Sequence, residues 1–206
     1  MTDSSSRPAV VFDVGNVLLH WDVALVYPDL SAEELKAFMD EVGFSAWNLE
    51  QDRGRSWDEG VEELSNFYPH RRALISRFAT DWSKSVPGAI EETVEILDTL
   101  HQQGERLFAI TNFSSETWQI AVRRFSFLVD RFRDVVVSGD EAVVKPDPRI
   151  YRILLERNAL SQSECVFIDD SPANVSGARA VGMQALHFTG AAQLRNDLAA
   201  LGLLDR

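Results

Sequence analysis

Two apolar runs far apart in the chain, Val10-Val11-Phe12 and Val166-Phe167-Ile168, each run straight into carboxylates, Asp13 in one case and Asp169-Asp170 in the other. An unbroken apolar run of this length predicts a strand buried on both faces, as in a parallel sheet. Strand-like runs fall at residues 9–13, 107–111, 135–138, 166–169 and 185–188. Helical stripes lie between the later ones: Trp118, Ala121, Val122 and Phe125 share a face, as do Ile150, Ile153 and Leu154. Asp147-Pro148 and Ser171-Pro172 each set a capping residue before proline at the first helical position, and Gly182 stands where the second of these helices should stop. Strand alternating with helix predicts an α/β fold with a doubly wound parallel sheet. Such sheets gather their chemistry at the C-terminal strand ends, where the two sets of carboxylates would converge and need a cation between them.

Residues 19–87 break this rhythm, with helical patterns but no convincing strand. Ser31-Ala32-Glu33-Glu34 is a capping box opening a helix with Leu35, Phe38, Met39 and Val42 on one face. A second stripe carries Val61, Leu64 and Tyr68, and a third Leu74, Ile75, Phe78, Ala79 and Trp82. The pattern divides the chain into a core of residues 1–18 and 88–206 and an all-helical insertion of residues 19–87, placed after the first strand as a cap over the site. Val86-Pro87-Gly88 and the stretch from Leu18 to His20 would be its hinges. No internal repeat or low-complexity segment is seen.

Composition narrows the chemistry. A chain of 206 residues, 45% apolar and 25% charged, suits an ordinary globular protein. Its net charge of -12 argues against nucleic acid or an anionic membrane as partner, yet leaves room for a phosphorylated substrate held by local cations and amides. The single cysteine, Cys165, makes no internal disulfide and reads as a small buried hydrophobe. No stretch reaches the ~18 apolar residues of a membrane span. The N-terminus lacks the pattern of a signal peptide, so the expected location is the cytoplasm.

Four motifs in order now resemble those of the haloacid dehalogenase-like (HAD) hydrolases. Phe12-Asp13-Val14-Gly15-Asn16-Val17-Leu18 resembles the first, Ile110-Thr111-Asn112 the second, Val144-Lys145-Pro146-Asp147-Pro148 the third, and Phe167-Ile168-Asp169-Asp170-Ser171-Pro172-Ala173-Asn174-Val175 the acidic fourth. Each is weak alone; their order and strand-end positions make the set specific. The resemblance implies a Rossmann-like HAD core with a small C1-type cap, and hydrolysis of a phosphate monoester through an aspartyl-phosphate at Asp13. It implies Mg²⁺ as cofactor, held by Asp13, the backbone carbonyl of Gly15, and Asp170 rather than Asp169. Thr111 and Asn112 would hold the phosphoryl oxygens by hydroxyl, backbone amide and side-chain amide, and Lys145 would face both nucleophile and phosphate. Asp169 would orient Lys145, and Asn174 would brace the acidic cluster. Physical chemistry supports the same roles, because a carboxylate approaches a phosphate dianion only when their repulsion is neutralised.

The chain departs from the family pattern at Gly15. HAD phosphatases usually carry a second aspartate there, which protonates the leaving group and then activates water; such groups contribute typically about 10²–10⁴-fold. First motifs of the form Asp-x-Gly-Asn also occur in a subgroup that includes sugar-phosphate phosphatases. Asp22, Glu50 and Asp52 are the candidates to replace the missing acid, and without one the enzyme should favour good leaving groups. Two alternatives stand beside the sugar-phosphate-like phosphatase. A metal-free 2-haloacid dehalogenase is disfavoured by the first motif and by adjacent Asp169 and Asp170. A weakened HAD-like protein that binds a phospholigand is kept open by Gly15. Trp21, Trp47 and Trp57 fall in the inserted segment, where one or two could stack on a sugar ring. His20 is the histidine nearest the site and reads as structural. The expected partner is a small phosphorylated metabolite, bound by a monomer or homodimer.

Overall fold

Five strands form one parallel sheet among residues 7–205, which the computed structural model describes. They are β1 (Ala9–Phe12), β2 (Leu107–Thr111), β3 (Asp134–Val137), β4 (Cys165–Asp169) and β5 (Gln184–His187), in the order β3-β2-β1-β4-β5. Each matches an expected strand to within a residue at either end. The chain adds β2 and β3 on one side of β1 and then returns to add β4 on the other. The crevice between β1 and β4 is therefore the topological switch point, where open α/β sheets bind their ligands.

Four helices lie between β1 and the helix preceding β2: α1 (Ala32–Val42), α2 (Phe44–Asp52), α3 (Trp57–Phe67) and α4 (Arg72–Asp81). The three expected helical patterns correspond to α1, α3 and α4; α2 was not foreseen. Gly43 explains both its start and its concealment. In the left-handed region at φ 62°, it ends α1 and opens α2 with no intervening polar loop. Ser31 and Ser56 form capping boxes with Glu34 and Glu59 at the starts of α1 and α3. Phe44, Trp47, Trp57 and Phe78 pack together with ring centroids 4.8–6.3 Å apart, forming the insertion's centre. Trp47 and Trp57 are thus core residues.

The remaining helices are α5 (Glu91–Gln102), α6 (Ser115–Arg124), α7 (Phe127–Asp130), α8 (Ser138–Glu141), α9 (Pro148–Arg157), α10 (Pro172–Ala180) and α11 (Ala191–Ala200). Alternation along β1 sorts them onto two faces. Val10 and Phe12 join the cluster containing Leu97 and Leu100 of α5 and Leu194 and Leu198 of α11. Ala9 and Val11 join Ile150 and Leu154 of α9 and Val175 of α10. The first cluster continues without a break into the insertion through Phe38, Trp47 and Phe78, so apolar burial holds the inserted helices against the core. Cys165 is buried, and burial pushes its thiol up to about 11, as an inert small hydrophobe requires. Among the described residues no helix is long and apolar enough to cross a membrane.

Candidate active site

Strand register brings the charged residues together. Phe12 of β1 pairs with Ile168 of β4 and Ala109 of β2, so Asp13 stands level with Asp169 and within a residue of Thr111. The Asp13 N–H donates to the Ile168 carbonyl at 2.8 Å, carrying the ladder to the strand's last useful position. Asp13, Asp169 and Asp170 each offer an oxygen within 4.8 Å of the others. Lys145, on the loop after α8, reaches into this cluster. Its Nζ lies 2.7 Å from Asp13 Oδ1 and 2.7 Å from Asp169 Oδ2.

The three carboxylates have different surroundings. Asp169 is fully buried and saturated: beyond Lys145, it accepts from the Asn174 side chain at 3.0 and 3.1 Å and from the Ser171 N–H at 2.8 Å. This differs from the expected cap at Ser171, whose side chain makes no capping bond; Asp169 caps that turn instead. Asp13 Oδ1 accepts from Lys145 and from the Val14 N–H at 2.6 Å, while no donor among the described residues reaches Oδ2. Burial pushes the Asp13 carboxyl up to about 8, against the pull of Lys145 and with Asp169 adding to the rise. Burial likewise raises Asp170, helped by Asp169. For Lys145, burial works against the charge, but the two carboxylates overcome it and the ammonium is held above its usual range.

Fully ionised, three carboxylates around one ammonium would leave an excess of two negative charges in a largely buried site, which is the crowding that helps to push Asp13 and Asp170 up. This donor set, all oxygen and anionic, fits a hard divalent cation such as Mg²⁺. A second unsatisfied atom fits an oxyanion: the buried Thr111 Oγ1 has no hydrogen-bond partner among the described residues. The Asn112 side chain departs from expectation. Its Oδ1 accepts from the Lys145 N–H at 2.8 Å and its Nδ2 donates to the Lys145 carbonyl at 3.2 Å, so it fixes the lysine loop instead of pointing at a phosphate.

A cleft opens between the strand ends and the inserted helices. It is lined by Gly15, Asn16 and Asn112 from the core, and by His20, Trp21, Asn48, Asp52 and Trp82 from the insertion and its hinges. Asp13, Thr111 and Lys145 are buried and are not among its lining residues. The three candidate acids separate cleanly. Asp22 is exposed and caps the turn at Val23–Val26, accepting from the Ala24 N–H at 2.9 Å. Glu50 is exposed and pairs with Arg53 at 3.4 Å. Only Asp52 faces the cleft, where burial pushes its carboxyl up to about 7 against the Ser114 N–H and Lys145.

A profile of the haloacid dehalogenase-like hydrolases matches residues 8–182, most of the chain and all four motifs. The chain belongs to this family. Among curated relatives, the sesquiterpene phosphatase astK of Aspergillus oryzae is 26% identical over 188 residues, spanning 88% of this chain and 89% of that protein. The (S)-2-haloacid dehalogenase 4A of Burkholderia cepacia is 27% identical over 119 residues, 57% of this chain and 50% of the relative. In structure, the HAD family enzyme bt-2542 of Bacteroides thetaiotaomicron, in complex with magnesium and inorganic phosphate, superposes with a TM-score of 0.71 at 17% identity. The match covers 88% of this chain and 94% of bt-2542 and attests the shared HAD fold.

Sequence reasoning passed over several residues that shape this HAD site. Asn16, at φ 55°, holds a left-handed turn that asparagine tolerates, and its Oδ1 accepts from the Trp21 N–H at 3.2 Å. Ser138, read only as the end of β3, donates to the Asp52 carbonyl at 2.5 Å and accepts from the Phe113 N–H at 3.0 Å. Asn48 donates to Asp52 Oδ2 at 3.1 Å. Trp82, read as part of a helical stripe, lines the cleft with Trp21. Asn48 and Asp52 stand one helical turn apart, a signal visible only once α2 is known to be a helix.

Proposed function

We infer that this HAD hydrolase cleaves a small, sugar-phosphate-like phosphate monoester with Mg²⁺, through an aspartyl-phosphate at Asp13, under a C1-type cap formed by residues 19–87. The observation that carries this reading is the state of Asp13. One oxygen is tied to Lys145 and Val14, the other meets no donor among the described residues, and two further carboxylates stand beside it. Asp13, the Gly15 carbonyl and Asp170 would hold the cation, which when bound neutralises the approaching phosphate dianion. Asp13 Oδ2 attacks phosphorus while Lys145 steadies Oδ1 and faces the phosphoryl oxygens. Thr111 Oγ1 and the Asn112 backbone N–H bind those oxygens. Asp169, braced by Asn174, keeps the lysine charged and aimed. Seating of the inserted helices excludes water from the cleft. Trp21 and Trp82 offer aromatic faces to a ring on the leaving alcohol.

The test is turnover of aryl and sugar phosphates by wild type and Asp13→Asn, with Mg²⁺ and with EDTA. Metal-dependent release of phosphate, lost in Asp13→Asn, is the expected result. Halide release from 2-haloacids unaffected by EDTA would overturn it in favour of the dehalogenase reading. Folded protein that binds phosphate esters without turning any over would favour a phospholigand-binding protein, the reading that Gly15 keeps alive.

A further inference from the structure

We propose that Asp52, at the C-terminal end of α2 in the insertion, is the general acid and base of this hydrolysis, standing in for the carboxylate that the core lacks at Gly15. The proposal rests on the phosphatase reading above and assigns the residue that reading leaves vacant.

Gly15 and Asp52 line the same cleft, one from the strand-end loop of the core and the other from above it. A Cβ built at Gly15 meets no atom within 4 Å, so the space in which a side chain from the core would stand is open. Asp52 is held on both sides of its Cα. Its backbone carbonyl, one of those left unpaired at a helix C-terminus, accepts from Ser138 Oγ at 2.5 Å, fastening the end of α2 to the end of β3. Its carboxylate accepts from Asn48 Nδ2 at 3.1 Å, one turn back on the same helix. A helix C-terminus disfavours an anion, and burial acts in the same direction, so the carboxyl titrates at about 7 and is available in both protonation states near neutrality. Lys145 is the cation whose charge reaches it, and His20 is the other titratable side chain lining the cleft.

The proton balance closes over two steps. As Asp13 Oδ2 bonds to phosphorus and the P–O bond to the leaving alcohol breaks, the Asp52 carboxylic acid gives its proton to that bridging oxygen. The alcohol departs neutral and Asp52 is left ionised. The Asp52 carboxylate then takes a proton from the water that attacks phosphorus. The bond between phosphorus and Asp13 breaks, hydrogen phosphate leaves, and both aspartates return to their starting states.

The experiment measures kcat and KM with Mg²⁺ on p-nitrophenyl phosphate and on alkyl and sugar phosphates. It compares wild type, Asp13→Asn, Asp52→Asn, Gly15→Asp and the Gly15→Asp/Asp52→Asn double variant. A strong leaving group departs without a proton, so Asp52→Asn should lower kcat on alkyl esters about 10²–10⁴-fold and on the aryl ester only a few-fold, with KM little changed. The ionisation near pH 7 in the alkyl-ester profile should vanish, and Gly15→Asp should restore alkyl turnover in the double variant. Equal losses on aryl and alkyl esters, or none on either, would overturn the assignment. Gly15→Asp alone tests it without touching Asp52: little gain is expected, whereas a gain of 10²-fold or more on alkyl esters would mean that no acid is present now. Loss of activity in Asp13→Asn with none in Asp52→Asn sinks this proposal alone. Full activity in Asp13→Asn, or none in wild type on any ester, sinks the phosphatase reading with it.

Discussion

Asp52→Asn should make the protein more stable at alkaline pH, because a carboxylate placed for proton transfer is badly placed for folding. The carboxyl titrates at about 7 in the folded chain against the 3.8 usual for an aspartate. At ~1.36 kcal/mol per pH unit, that difference of about three units sets an upper bound of about 4 kcal/mol for the cost of keeping Asp52 ionised. Asp52 is only partly buried, and water in the cleft screens it, so about 2 kcal/mol is the better expectation. The sign follows from linkage. With its folded pKa raised, the folded state holds a proton that the unfolded state has already released, so stability relative to a neutral isostere declines from about pH 4 to pH 7 and then levels off. Asparagine never ionises, and its amide oxygen can still accept from Asn48. Its advantage should be absent near pH 4 and complete by pH 8.

The assay is thermal unfolding of the ligand-free protein by circular dichroism across that pH range. For a chain of this length, about 2 kcal/mol corresponds to a Tm gain of roughly 4–8 °C at pH 8. A variant that melts at or below wild type at pH 8 would refute the reasoning. So would a gain of the same size at pH 4, because that could not come from a carboxyl protonated in both states.

Two further substitutions separate stability from chemistry in the same way. Thr111→Val keeps the shape but removes a buried hydroxyl that has no partner, so it should raise Tm by roughly 2–4 °C, about 1 kcal/mol. The same change should weaken inorganic phosphate binding in the presence of Mg²⁺ by about tenfold in calorimetry if, as proposed, the anion is what the hydroxyl binds. Lys145→Met leaves Asp13 and Asp169 facing each other in the core and should cost about 3–5 kcal/mol at pH 7.5, read from urea unfolding. Removing the ammonium takes away the charge that pulls the Asp13 carboxyl down, so that group should stay protonated to still higher pH; a loss below about 1 kcal/mol would show that the ammonium is not what holds this part of the core together.

The parts of this molecule that were legible in its sequence are those where one physical demand dominates. Strands buried on both faces must be apolar throughout, so β1 and β4 stand out, and their shared register makes the convergence of Asp13 and Asp169 nearly unavoidable once the strands pair. Lys145 was legible only through the motif around it, since nothing in a lone lysine before Pro146 announces that it will be buried. The insertion was harder. The sequence offers Asp22, Glu50 and Asp52 as equals because their rank depends on the rotation of a helix that Gly43 hides. With α2 in view, Trp47 and Gln51 face inward, Asn48 and Asp52 form the cleft wall, and Glu50 falls on the outer face. The tryptophans could not be sorted for the same reason: Trp47 donates to the Gly60 carbonyl at 2.8 Å and Trp57 to Ser114 Oγ at 2.9 Å, so both bind elements together, while Trp21 and Trp82 meet the cleft.

Moving the acid from the core to the insertion changes when the site is complete. A carboxylate two residues after the nucleophile travels with it and is in place whether the cleft is open or shut. On this proposal Asp52 reaches the reacting oxygen only while α2 is seated, and polar contacts fix that seating on top of the apolar packing shared with the core: Ser138 Oγ to the Asp52 carbonyl, Trp57 Nε1 to Ser114 Oγ, and the Trp57 N–H to Glu116 Oε1 at 3.0 Å. Each joins the insertion to the Phe113–Ser114 turn, to the β3 end or to the start of α6, all beside Thr111 and Asn112. Binding a phosphate at that edge and seating the acid above it are therefore mechanically linked. On the proposed mechanism the aspartyl-phosphate would be short of a base whenever the insertion lifted, so the ester and the intermediate would both be hydrolysed only under cover. On this argument Gly15 is the feature that makes catalysis conditional on closure, which is a different consequence from making the enzyme slow.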